Sequence, residues 1–415
     1  MARARGRRRR LLPGVPRELR DTPSTAVAVQ LPRMLHRFAR STARWRPGCE
    51  VTVLRAGAET YPAMLEAIAA ATATICLETY ILAGDGTGDR FREALAARAR
   101  AGVAVRVIYD AVGSFGLSEA WLDDLREAGC EVIDFNPIAP WRAKFRLSHR
   151  DHRKILVVDD VVAFTGGLNI ANDYAATADG GAGWHDMHCR VRGEIVRDLA
   201  RMFRSTWLRS GGAPYVLGTA PVAPAAALDA PRGRAIVRLI DNTGLRQRTA
   251  MRRAYLHVIK HAQARVLIQN AYFLPDRGVR RALARAARRG VDVRIIVPGR
   301  TDIQFVAWAS LYVMRVLARR GVKVFQWPGP MMHAKTAVVD GTWSTIGSYN
   351  FDAQSRFNNL EVTVEILDDE VAGELVRQFD ADVPACAPFD EAYWLRQPWW
   401  RKALAWFAFR IRRFL

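Results

Sequence analysis

The sequence predicts an α/β protein made of two similar lobes related by a pseudo-twofold axis, each a mixed, mostly parallel sheet flanked by helices, with one shared site. Three observations carry this expectation. The chain repeats one order of strands and helices; each repeat leads into the same histidine, lysine and aspartate spacing; and a segment rich in Ala, Pro and Gly separates the copies.

Taken in order, residues 1–46 read as a flexible basic arm, with Arg3, Arg5 and the run Arg7 to Arg10 ahead of a Pro-containing stretch without apolar periodicity. Residues 47–210 form the first lobe. There ATICLETYIL (Ala73 to Leu82) reads as a strand, a charged helix follows through Arg100, and AGVAVRVIYDA supplies a second strand. Residues 211–234 are the linker, and 235–390 the second lobe, where ARVLIQNAYFL (Ala264 to Leu274), an Arg-rich helix and RGVDVRIIVPG repeat that order. Tyr80 and Tyr272 read as equivalent strand ends. A further helix and strand in each half end at Pro137 and Pro330, just before the histidine motifs.

Composition bounds the function. A chain of 415 residues can bury two cores, since domains run to roughly 100–200 residues. The formal charge of +21 attracts polyanions, so anionic lipid and nucleic acid both enter as candidates. Five cysteines without C-x-x-C spacing argue against a zinc cluster or a disulfide framework. No apolar core follows the basic N-terminus, which argues against a cleaved signal, and no stretch has the roughly 20 apolar residues of a spanning helix. Membrane contact is therefore expected to be peripheral.

The first motif reads SHRDHRKILVVDDVVAFTGGLN, giving His152, Lys154, Asp159, Gly167 and Asn169; the second reads MHAKTAVVDGTWSTIGSYNFD, giving His333, Lys335, Asp340, Ser348 and Asn350. On an extended chain, residues two apart share a face, so each histidine lies beside its lysine. An unpaired ammonium next to an imidazole is a poor core pair but a good anion site. Lysine supplies charge, asparagine a neutral donor, and glycine close approach of the backbone, so Asn169, Asn350, Ser348 and Gly167 are expected at a substrate phosphate. A single His-x-Lys would be chance; two with the same gap to Asp, in the same place of a duplicated lobe, indicate chemistry. Asp186 in GWHDMHCRV and Glu361 in NNLEVTVEI are expected to orient the histidines, and the aspartates of the motifs to tie turns.

These paired motifs resemble those of the phospholipase D superfamily, and the stretch from about Glu50 to Asp380, with ETYIL, the H-R-K form of the first motif and GSYNFD in the second, is similar to bacterial cardiolipin synthases lacking transmembrane segments. The resemblance implies that His152, Lys154, Asp159, His333, Lys335 and Asp340 are the catalytic set, without metal or other cofactor. It also implies a two-step displacement: one histidine, taken as His152, attacks phosphorus, and His333 protonates the leaving alcohol. The implied reaction joins two phosphatidylglycerols into cardiolipin and glycerol, with a phospholipase D hydrolase as the alternative and a nuclease as a more distant one. The expected partners are phosphatidylglycerol and the cytoplasmic side of the bacterial membrane, with no nucleic acid, and the expected state is a monomeric pseudo-dimer.

Residues 391–415 read as an amphipathic helix placing Trp400, Leu404, Phe407, Ile411 and Phe414 on one face, either against anionic lipid or against the protein. Ile303 to Met314 is uncharged and too short to span; it reads as an acyl-groove wall or as a buried core helix. His149, His185 and His188 cluster near the first motif without counterparts in the second half and are not expected to bind zinc.

Overall fold

A computed structural model describes residues 44–137, 148–217, 233–244 and 247–411, so most of the basic arm, the middle of the linker and Phe414 lie outside the described residues. The first lobe runs β1 (Arg46–Arg55), α1 (Ala56–Ala69), β2 (Thr74–Thr79), α2 (Gly86–Arg100), β3 (Ala104–Asp110), α3 (Glu119–Glu127), β4 (Glu131–Phe135), β5 (Ile155–Val158), β6 (Val162–Gly166), β7 (Met187–Arg192) and α4 (Ile195–Arg209). The second repeats it with β8 (Ala235–Asp241), α5 (Ala250–His261), β9 (Arg265–Asn270), α6 (Arg277–Arg288), β10 (Asp292–Pro298), α7 (Gln304–Ala318), β11 (Lys323–Trp327), β12 (Lys335–Val339), β13 (Trp343–Gly347), α8 (Ala353–Phe357), β14 (Val362–Leu367) and α9 (Asp369–Asp382). The chain closes with β15 (Ala387–Phe389), α10 (Glu391–Arg396) and α11 (Trp399–Ile411).

The fold is mixed α/β, as expected, but parallel pairing among the described strands is confined to β2–β3–β4 and β9–β10–β11. Helical crossovers allow parallel neighbours only there; after each motif the chain turns back through a short hairpin at Asp159 and Asp160 or at Asp340 and Gly341, which forces antiparallel pairing. The "mostly parallel" reading is corrected on that ground. Among the described residues the two lobes also share one 15-stranded sheet, because β1 pairs antiparallel with β8. Arg46, assigned to the arm, begins β1 and is held by Asp198 and Glu194 of the first lobe. The start of the expected linker is likewise anchored: Arg106 stacks over the Tyr215 ring at 4.1 Å.

Helices α1 to α3 cover the outer face of the first sheet half, and α5 to α7 that of the second, each over its own core. A third core is common to both lobes, with Met187 and Phe203 of the first packed in one cluster with Val338, Val364 and Leu375 of the second. This shared apolar layer fixes the lobes against each other, which a site divided between them requires.

At the C-terminus, α11 packs on α7 through Ala405 and Ala408, both fully buried, with Phe409 on Tyr312 at 4.6 Å. Small side chains let the helix axes approach, so they take the inward face. Of the expected apolar face, Trp400 and Phe407 turn outward, 48% and 51% exposed, while Leu404 and Ile411 are half-buried; Trp399 and Trp406, which lie off that face, are exposed as well, 79% and 52%.

Candidate active site

Each histidine is placed by a strand pairing that crosses between lobes. His152 N–H donates to Leu360 O (3.0 Å) and Leu360 N–H to Arg150 O (2.8 Å), so the first motif lies beside the residue that precedes Glu361. The pattern recurs in exchange: His333 N–H donates to His185 O (2.7 Å) and His185 N–H to Met331 O (2.9 Å), beside Asp186. The side chains follow the backbone. His152 Nδ1 lies 3.1 Å from Glu361 Oε2, and His333 Nδ1 lies 2.7 Å from Asp186 Oδ2.

A carboxylate on Nδ1 fixes the neutral tautomer with its proton there and leaves the Nε2 lone pair for chemistry. Burial pulls the proton affinity of both imidazoles down, that of His333 to about 4, with Lys335 adding to the effect and Asp186 opposing it. Lys154 of the opposite lobe also lowers His333, and Lys335 lowers His152, so the four side chains form one electrostatic unit. Burial lowers the lysines too, Lys154 to about 7 and Lys335 to about 8. Burial alone would push Asp186 up, but Lys335 and His333 bring its carboxyl below the ordinary range. Lys154 Nζ donates to His152 O at 2.8 Å, and Lys335 Nζ to His333 O.

A phosphodiester anion arriving between two such lysines favours their charged forms. A pH dependence follows. In the empty enzyme the lysines lose protons as pH rises through about 7 to 8, whereas burial holds both histidines below the ordinary imidazole range, His333 at about 4. We expect kcat/KM, which reports the free enzyme, to fall as pH rises above about 7, with kcat at saturation flatter. A profile of kcat/KM that stays level to pH 9 would contradict this.

Ser348 and Gly167 occupy equivalent positions but do not face an open site. The Ser348 hydroxyl donates to Glu361, and a Cβ on Gly167 would lie 2.1 Å from Asp186 Oδ1. The expectation that they hold phosphate is corrected: they hold or make room for the carboxylates. Asn169 has its Oδ1 occupied by Ile81 N–H (3.1 Å) and donates to Tyr174 Oη (2.6 Å). Asn350 Oδ1 is buried without a hydrogen-bond partner among the described residues, which leaves its amide the freer of the two.

Asp159 and Asp340 sit seven residues beyond their histidines, roughly 20 Å away at about 3.3 Å per extended residue. Asp159 accepts from Thr72, Ala73 and Thr74 N–H at 2.7 to 2.8 Å, and Asp340 from Gln263, Ala264 and Arg265 N–H at 2.8 to 3.0 Å. Both have positive φ, 52° and 54°, which Asp tolerates better than most residues. Their place in the catalytic set is corrected by this geometry, which ties the turn before β2 or β9. Asp159→Ala is expected to lower stability by about 2–4 kcal/mol, the scale for charged hydrogen bonds left unmade, while folded protein keeps turnover within about threefold. Urea unfolding together with a rate measurement checks both; a large loss of rate at unchanged stability would return Asp159 to the chemistry.

Tyr174, Trp184, Asn242 and Ser355 at the site gave little signal in the sequence, whereas Tyr80 and Tyr272 stood out there as strand ends. The rings of Tyr174, Trp184 and Tyr272 lie 5.3, 5.9 and 6.3 Å from that of His333, and Tyr80 lies 5.0 Å from His152. Tyr80 and Tyr272 are not at equivalent positions. Glu78 pairs with Ile155 and Gln269 with Thr336, each just after the motif lysine, so Tyr80 follows its reference residue by two and Tyr272 by three. Arg153, between His152 and Lys154, is fully buried and bridges Glu78 (3.7 Å) and Asp241 (3.6 Å) of opposite lobes. Asn242 receives Glu361 N–H at 2.8 Å and Ser355 donates to Glu361 Oε1 at 2.6 Å. The three neighbouring histidines disperse: His149 meets Asn358 O (2.6 Å), His185 stacks on Trp327 and meets Asp382 (2.9 Å), and His188 is buried.

Comparison with known proteins places this geometry in context. A family model described as "Cardiolipin synthase, PLD-like domain" matches residues 64–207 and 255–383, one match per lobe. A cardiolipin synthase of Geobacillus sp. (strain WCH70) is 33% identical over 369 residues, covering 88% of this chain and 72% of that protein. The major cardiolipin synthase ClsA of Bacillus subtilis (strain 168) is 32% identical over 353 residues, covering 84% and 72%. Among solved structures, the phosphatidylserine synthase of Haemophilus influenzae Rd KW20 superposes with a TM-score of 0.64 at 14% identity, over 88% of this chain and 95% of that one, a likeness of fold.

Proposed function

This chain belongs to the cardiolipin synthase family of phospholipase D-like proteins, and from that premise we propose that it is a phosphatidyltransferase that converts two phosphatidylglycerols into cardiolipin and glycerol through a phosphatidyl-histidine. The observation that carries the reading is the reciprocal pairing of each histidine with a carboxylate of the other lobe, which prepares two Nε2 atoms for one phosphodiester. His152 Nε2 attacks phosphorus, the bond from phosphorus to the glycerol oxygen breaks, and His333 gives its proton to that oxygen. A hydroxyl of the second phosphatidylglycerol then yields its proton to His333 and attacks phosphorus, and the N–P bond breaks to return the lone pair to His152. Lys154 and Lys335 stabilise the charge on the phosphoryl oxygens. The bound anion restores the proton affinity that burial takes from His333.

Hydrolysis uses the same intermediate, with water in place of the alcohol. The rings of Tyr174, Trp184 and Tyr272 around His333 favour transfer, because apolar faces there leave little room for ordered water. The outward aromatics of α11, interleaved with Arg401 and Arg410, suit the surface of an anionic bilayer, and we assign the protein to the cytoplasmic face as a peripheral enzyme. Mass analysis of products from phosphatidylglycerol vesicles, with a chelator present, tests the reaction. Cardiolipin and glycerol in equal amounts are expected; phosphatidic acid alone would make it a hydrolase. Co-sedimentation with the same vesicles, lost on Trp400→Ala with Phe407→Ala, reads the contribution of α11.

A further inference from the structure

Between His152 and Lys154 stands Arg153, and the strand period turns its side chain to the face opposite theirs. There it is fully buried, on the side from which Ile155 and Val157 enter the core common to both lobes. A guanidinium is costly to bury unless its N–H groups find acceptors, and here each nitrogen has one. Nε donates to the backbone O of Glu361 (3.4 Å), Nη1 to the Thr206 hydroxyl (3.1 Å) and Nη2 to the Thr243 hydroxyl, with Glu78 and Asp241 supplying the counter-charges. Thr206 and Glu78 belong to the first lobe; Glu361, Thr243 and Asp241 belong to the second.

Glu361 is the carboxylate on His152 Nδ1, and its backbone is held at both polar groups. Its O meets Arg153, and its N–H donates to Asn242 Oδ1 (2.8 Å). The chain neighbours of Asn242, Asp241 and Thr243, are the other second-lobe groups that Arg153 holds. From a position next to His152, Arg153 thus grips the segment that carries the carboxylate both directly and through the end of β8. Among the described residues the second motif has no such grip. Ala334 stands where Arg153 does and Gln269 where Glu78 does, and Asp186, the partner of His333, accepts from its own neighbour Met187 N–H (2.7 Å). The second lobe shows that this sheet accepts an apolar residue at that place. A buried ion pair is often no more stabilising than apolar groups of its size, so stability alone does not account for the charge.

We infer that Arg153 is a positioning residue for His152: it sets the second-lobe carboxylate of Glu361 against Nδ1 across the lobe boundary and so holds the imidazole in line with phosphorus. The need falls on one histidine because, in the reaction proposed above on which this rests, His152 forms a bond along a fixed line of attack, whereas His333 moves a proton.

Arg153→Lys keeps a cation between Glu78 and Asp241 but loses the fork that reaches Glu361 and Thr243. Arg153→Ala with Glu78→Gln rebuilds the Ala334 and Gln269 arrangement, so that β2 keeps no unpaired carboxylate. Thermal unfolding is expected to show both folded. Both are expected to lower kcat about 10²-fold, the scale of a misplacement of about 1 Å, and to leave KM within about threefold. In a Glu361→Gln background the same changes are expected to cost less than about threefold more, since the residue through which Arg153 acts is already disabled. Enzyme labelled with ¹⁵N at histidine gives a reading that needs no turnover. The Nδ1 resonance of His152, assigned by its loss in His152→Ala, is expected to move in both variants while that of His333 stays. Unchanged kcat, a loss carried by KM, a full loss on top of Glu361→Gln, or a His152 resonance that stays in place or moves together with that of His333 overturns the inference. Failure of the wild type to make cardiolipin would instead defeat the proposed reaction and leave the histidine resonances to decide the role of Arg153.

Discussion

His152→Ala is expected to abolish formation of the phosphatidyl-enzyme and to lower cardiolipin synthesis by at least about 10⁴-fold, since removal of a nucleophile leaves only positioning and electrostatic stabilisation. His333→Ala is expected to lose less, roughly 10²–10⁴-fold, the usual share of general acid-base catalysis. The asymmetry distinguishes the roles. With a substrate carrying a more acidic leaving alcohol, which needs no proton to depart, His333→Ala should recover part of its first-step rate and His152→Ala none. Both variants leave a buried carboxylate without its imidazole, so thermal unfolding accompanies the rates to show that the fold persists. Equal losses with no dependence on the leaving group would reverse or dissolve the assignment.

The second large effect concerns residues that touch no substrate in this scheme. Glu361→Gln and Asp186→Asn keep shape and hydrogen bonding but replace an acceptor-only group with one that offers an N–H to Nδ1. At His152 the imidazole then favours the tautomer protonated at Nε2, where the attacking lone pair is needed; at His333 the lost carboxylate removes the negative charge that favours its protonated, acid form. We expect kcat to fall by about 10³–10⁴-fold with KM little changed, the scale seen when an orienting carboxylate becomes an amide. Because Glu361 also accepts from Ser348 and Ser355, its variant should lose some stability as well, whereas the Asp186 environment has Gly167 where Ser348 stands in the other lobe. A rise in KM at constant kcat would mean that these carboxylates shape the binding site instead.

Much of this arrangement was legible in the sequence for one reason: duplication. Two lobes with the same motif at the same place announce a shared site, and the strand period puts each lysine beside its histidine. What duplication hides is exchange. Nothing local to GWHDMHCRV says that Asp186 serves His333, or that Glu361 serves His152, because the link is a backbone bridge between segments 147 and 209 residues apart. The continuous sheet was hidden for the same reason, since β1 and β8 each look like an ordinary lobe edge. The aromatic wall drew no notice because Tyr174 and Trp184 lie in an irregular stretch without periodicity. At the C-terminus the helical period marked Trp400 and Phe407, which are exposed, and left open whether their face meets lipid or protein; Ala405 and Ala408, weak in hydrophobicity, took the packed face by being small. The motif aspartates show the opposite case. Their turn-tying role followed from sequence because a turn comes directly after each, and the positive φ of both supports it.

One measurement bears on the whole account. Phosphatidylglycerol labelled with ³²P is mixed with enzyme, quenched within milliseconds under alkaline conditions that preserve phosphoramidates, and the labelled peptide identified. The account predicts acid-labile label on the peptide containing His152, chased into cardiolipin by unlabelled phosphatidylglycerol and absent from His152→Ala. Label on the His333 peptide would exchange the two roles; turnover to cardiolipin with no label held by either histidine would contradict the mechanism itself.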